Sequence, residues 1–105
     1  MADRTRRQRL EEMLADDPTD SFCRYGLAMD YASAGEDETA AKVFADLLRM
    51  APEYVPAYLQ AGQVLARLGR DDEAKAVYRA GVAVAQRVGD AHAAGELQGF
   101  LEMLT

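Results

Sequence analysis

The chain has little of what most site chemistry requires. Its 105 residues include one cysteine, one histidine and three prolines. A single thiol cannot close an internal disulfide, so Cys23 fits a reducing compartment and the expected location is the cytoplasm. Arg24 beside it and a nearby helix N-terminus would lower its pKa, but no base accompanies it. His92 stands alone near a helix start, where a histidine is a structural or solvated group. The acidic runs at 36–38 and 71–73 lack the spacing and glycine of a calcium loop. No glycine-rich phosphate loop is present. The expectation is therefore a protein that is not an enzyme, with no cofactor and no metal. No apolar run follows Met1-Ala2-Asp3-Arg4 that could serve as a signal core, and none reaches membrane-spanning length. A basic footprint is missing as well. The formal net charge of −6 argues against general nucleic-acid binding and favours solubility and basic partners.

What is present reads as helix. Half the residues are hydrophobic and no stretch alternates like a strand, so the expected class is all-α. The length suits one domain, residues 1–105, with a modest core. Residues 4–15 form a first helix on Leu10, Met13 and Leu14. Arg4, Arg6, Arg7 and Arg9 read as a solvated face. Their charge opposes the helix dipole, which predicts a frayed first turn. Asp17-Pro18 ends this helix and Asp20 caps the next.

A second helix runs from Ser21 to Ala34 and stops at Gly35. It has two apolar faces, one with Leu27, Ala28, Tyr31 and Ala34, the other with Phe22, Tyr25, Met29 and Ala32. A helix apolar on both sides is either sandwiched or lines a groove. The third helix opens on Glu36-Asp37-Glu38, buries Ala40, Val43, Phe44, Leu47 and Leu48, and stops at Pro52. The fourth runs from Val55 to Leu68 over Tyr58, Ala61, Gly62 and Leu65, and Gly69 ends it. The fifth opens on Asp71-Asp72-Glu73 and carries Ala74, Val77, Tyr78 and Gly81. With Gln86 in place of a proline, it extends to Val88. A sixth helix, capped by Asp90, spans Ala91 to Leu104.

Gly35 and Gly69 lie 34 residues apart, and their neighbours recur at the same offset. Such a period marks a stack of helix hairpins. The residues resemble the tetratricopeptide repeat (TPR) family. Repeat 1, residues 21–54, matches at Leu27, Ala28, Tyr31, Ala40, Phe44 and Pro52, and departs at Arg24. Repeat 2, residues 55–88, matches at Tyr58, Gly62, Leu65, Ala74 and Tyr78, and departs at Ala61 and Gln86. Residues 4–15 resemble the back half of a repeat, and 90–104 a capping helix.

The resemblance implies a right-handed helical-hairpin repeat stack whose first helices line a concave groove for a protein or peptide partner. The implied groove residues are Phe22, Tyr25, Met29 and Ser33, then Leu59, Gln63 and Arg67, with Pro56 beside them. Tyr25, Gly26, Leu59 and Gln60 stand where some members carry a lysine and asparagine carboxylate clamp, so that specificity is not implied. Continuing the 34-residue register into the last helix puts His92, Gly95, Glu96 and Gly99 at core positions. Its apolar stripe of Ala93, Leu97, Phe100, Leu101 and Leu104 falls elsewhere. The stripe caps the stack, folds over the groove, or forms a homodimer through Leu97, Phe100, Leu101 and Leu104. Self-association is thus the alternative function.

Overall fold

Each helix begins and ends where short-range chemistry permits. The structure, a computed structural model, describes residues 5–105. Among the described residues there are six helices and no strand: α1 Arg6–Asp16, α2 Ser21–Ser33, α3 Asp37–Met50, α4 Val55–Arg67, α5 Asp71–Val88 and α6 Ala91–Met103. Gly35, Gly69 and Gly89 adopt φ of 78°, 76° and 81°. After each, the next amide donates back into the helix: Glu36 to Tyr31 O, Arg70 to Leu65 O and Asp90 to Ala85 O, at 2.8–2.9 Å. This left-handed stop satisfies carbonyls that have no partner within the helix, and glycine adopts it without strain.

The start of α1 corrects the frayed-turn expectation. Thr5 Oγ1 accepts from Gln8 N at 3.1 Å, and Gln8 Oε1 accepts from Thr5 N at 2.9 Å. This reciprocal capping box ties down the first turn. Arg4 lies outside the described residues. Arg7 is not on a solvated face, because it pairs with Asp30 at 2.8 Å and Glu36 at 2.7 Å and lies 4.0 Å from the Tyr31 ring centre.

Each helix packs on the next, and α4 also touches α2 and α6. The described residues form an elongated body of 50 × 29 × 20 Å. Its core divides into three successive clusters. Leu14, Cys23 and Leu27 join α1 to α2. Ala28, Ala40, Phe44, Leu47, Ala57, Ala61 and Val64 join α2, α3 and α4. Tyr58, Leu65, Ala74, Tyr78, Leu97 and Leu101 are among those joining α4, α5 and α6.

The α4–α5 contact is an interlock. A Cβ at Gly62 would clash with the Tyr78 ring at Cε1, Cζ and Cδ1, and one at Gly81 would stand 2.6 Å from Tyr58 Cβ. Only glycine admits either approach.

The last helix departs from the 34-residue register. His92, Gly95, Glu96 and Gly99 are exposed, and Ala94, Leu97 and Leu101 are buried instead. These three lie 36 residues after Tyr58, Ala61 and Leu65, so α6 packs as another first helix shifted by two. The cause is local. No proline stands at position 86, so α5 runs on for 18 residues where α3 has 14. Within the stripe, Leu97 and Leu101 pack into the core cluster shared with α4 and α5.

Candidate functional site

Helices α2, α4 and α6 share one face. Shifting Phe22, Tyr25, Met29 and Ser33 by 34 residues gives Pro56, Leu59, Gln63 and Arg67. A further 36 gives His92, Gly95, Gly99 and Met103. Phe22 is 78 % exposed and Ser33 is exposed, whereas Tyr25 and Met29 are half-buried. Tyr25 packs edge-on to Phe44, with ring centres 6.1 Å apart, and lies 5.4 Å from Tyr54. Burial pushes its hydroxyl pKa up, with Tyr54 adding to the shift, so it remains a neutral donor and acceptor.

The expected groove is brought together only in part. Tyr25 and Leu59 line a cleft of about 230 Å³ between α4 and α6, with Val55, Pro56, Gln60 and residues of α6. Gln63 and Arg67 line a separate cleft of about 270 Å³, walled by Ala66, Tyr78, Phe100, Met103 and Leu104. Phe22, Met29 and Ser33 line neither. The strict 34-residue register did not single out which α6 residues form this wall, because the two-residue shift displaces them.

Arg67 is one of the implied groove residues. Its guanidinium donates to Asp37, Nη2 to Oδ1 at 2.9 Å and Nε to Oδ2 at 3.2 Å. This fork holds the Asp37 carboxyl below its ordinary range. The expected lowering of the Cys23 pKa is reversed. The side chain is buried, and desolvation raises the thiol pKa, with Asp20 adding to it and Arg24 opposing it. The thiol donates to Leu10 O at 3.4 Å, a packing role.

On α6, Leu97 and Leu101 are 1 % and 9 % exposed and belong to the chain's own core. Phe100 stacks on Tyr78 at 6.0 Å, and Leu104 is half-buried. A Cβ at Gly95 or Gly99 would meet nothing within 4 Å. No group of three or more metal-ligating side chains occurs among the described residues, and no described helix is long and apolar enough to cross a membrane.

The chain is 30% identical over 95 residues to a TPR repeat-containing protein of Pseudomonas aeruginosa, with 90% of each chain covered. Its fold matches the solution structure of a tetratricopeptide repeat domain protein from Salinibacter ruber at a TM-score of 0.79 and 33% identity, over 84% of this chain and 89% of that one. A Bordetella parapertussis protein of known solution structure matches at a TM-score of 0.83 and 30% identity, over 97% of this chain and 89% of that one. No family-level sequence profile matches. The chain belongs to the tetratricopeptide repeat family, an all-α class of helical-hairpin stacks. That family consists of general protein-interaction modules, typically without catalysis of their own.

Proposed function

We propose that the chain is an adaptor holding one segment of a protein partner along the face of α2, α4 and α6. Phe22, Tyr25, Met29 and Leu59 are the apolar anchors, and Ser33 and Gln63 supply polar contacts. Arg67 contributes through donors left over from its pairing with Asp37. The supporting observation is Phe22. A phenylalanine ring left 78 % exposed gains little from the fold, and it stands one helical turn before Tyr25, which lines the cleft between α4 and α6. The mechanism is binding alone. A preformed surface takes a partner's side chains with little ordering cost.

The test is capture of the partner from native extract, followed by affinity measurement against Phe22→Ala, which leaves the core intact. A hot-spot loss of about 2 kcal/mol is expected. Unchanged affinity would move the site elsewhere.

A second reading is self-association through α6. With Leu97 and Leu101 internal, its surface reduces to Phe100, Leu104 and Met103, the last 79 % exposed. Sedimentation equilibrium decides it. A mass that rises with concentration supports a homodimer, and a constant monomer mass ends the idea.

A further inference from the structure

The cleft between α4 and α6 has two unlike walls. The α4 side is largely apolar, with Val55, Pro56 and Leu59 beside Tyr25 and Gln60 as its polar group, and the α6 side sets the carboxylates of Asp90 and Glu96 among His92, Ala93 and Leu97. Its volume of about 230 Å³ lies below the roughly 300–1,000 Å³ of small-molecule sites. A cleft of this size suits a single long side chain.

We infer that this cleft takes a lysine or arginine side chain of a protein partner, its stem along Val55 and Leu59 and its cationic head at Asp90 and Glu96. The inference rests on the proposed partner-binding face and names the chemistry of its anchor. A wholly apolar side chain filling the cleft would strip water from two carboxylates without replacing their hydrogen bonds, which is unfavourable. An acidic side chain would add like charge. A long cationic side chain satisfies both walls, because its methylenes cover apolar surface while its head stays polar.

The two carboxylates retain capacity for such a head. Asp90 Oδ1 accepts from Ala93 N at 3.0 Å, and Glu96 Oε1 lies 3.4 Å from His92 Nε2. The second oxygen of each is left to receive a partner. Among the described residues, no lysine or arginine lines the cleft. Arg87, three residues before Asp90, lies 3.9 Å from Glu53 Oε1, and Arg24, next to Tyr25, donates to Pro18 O. The net charge of −6 adds longer-range attraction for a basic segment, which salt weakens.

The experiment titrates the ¹⁵N-labelled chain with acetyl-Gly-Leu-Arg-Leu-Gly-amide and with versions carrying norleucine or glutamate at the central position. Norleucine keeps the stem and removes the charge. The arginine peptide should give saturable shifts at the Tyr25, Leu59 and Glu96 amides, tighter than norleucine by about fivefold, the scale of a half-exposed ion pair. Glu96→Gln should erase most of that difference. Asp90→Asn, which keeps the helix cap, should reduce it, and added salt should weaken the arginine peptide selectively. Norleucine binding as tightly as arginine overturns the cationic anchor while leaving the partner face standing. No saturable shift on α2, α4 or α6 from any peptide overturns the anchor, and an affinity for the captured partner unchanged in Phe22→Ala then removes the face as well.

Discussion

In the α4–α5 hairpin a tyrosine meets a glycine twice. Tyr78 fills the space at Gly62, and Tyr58 packs on Gly81. In the α2–α3 hairpin the residues 34 earlier are Phe44 with Ala28, and Arg24 with Leu47. The second pair exchanges its bulk. The fourth and fifth helices set an aromatic on the first helix against a glycine on the second. At the equivalent register positions the second and third carry a long polar chain and a leucine. The polar tip performs the same act in both. Arg24 Nη2 donates to Pro18 O at 2.7 Å, and Tyr58 OH donates to Pro52 O at 2.5 Å. Those carbonyls are themselves 34 residues apart. Arg24, which departs from the family pattern by residue type, makes the same kind of hydrogen bond that Tyr58 makes one repeat later. What repeats is filled volume and a tied carbonyl, and more than one residue pair provides them.

The largest break in this comparison is Tyr78→Ala. It empties the interlock at Gly62 and should cost about 3–5 kcal/mol in urea unfolding. Next is Gly81→Leu, which places in the second hairpin the residue that the first one uses. With Tyr58 present the added side chain meets Tyr58 Cβ and Leu97, and about 1–3 kcal/mol of destabilisation is expected. Adding Tyr58→Gly, which removes that Cβ, should recover part of that loss. Strict additivity of the two changes would show that this contact does not set the cost.

Removing the polar tips separately should cost about 0.5–1.5 kcal/mol each, measured as Arg24→Met and Tyr58→Phe. Similar values would confirm that the two tips do equivalent work. The smallest effect is at Asp37, whose carboxyl pKa is depressed by the hydrogen bonds from Arg67. A depressed folded pKa stabilises above the unfolded value and loses that contribution as pH falls through the folded one. Stability should therefore drop below about pH 4. Asp37→Asn should flatten that acid limb while changing neutral-pH stability by less than about 1 kcal/mol, as an ion pair open to solvent does.

Helix positions were legible in the sequence because their signals lie within a few residues. Gly35, Gly69 and Gly89 stop helices through their own φ, and Asp20 and Asp90 cap through side chains three residues from the amides they accept from. The extension of α5 to Val88 followed from the absence of proline at position 86. The capping box at Thr5 was equally local, and the Thr-x-x-Gln spacing was there to find.

The site was less legible. Tyr25 and Leu59 do share a cleft, but its other wall comes from α6, which the strict repeat register assigned to the wrong face. The pairing of Arg67 with Asp37 joins residues 30 apart, and that of Arg7 with Glu36 joins residues 29 apart. No local pattern announces either. The sequence by itself determined the helices, their stops, the core stripes of the two hairpins and the family. The tertiary structure alone decided the rotation of α6, the division of the groove into two clefts and which charges are already paired. The physical reason is range. Caps and stripes are set by neighbours along the chain, whereas a wall, a cleft or an ion pair exists only once separate helices have packed.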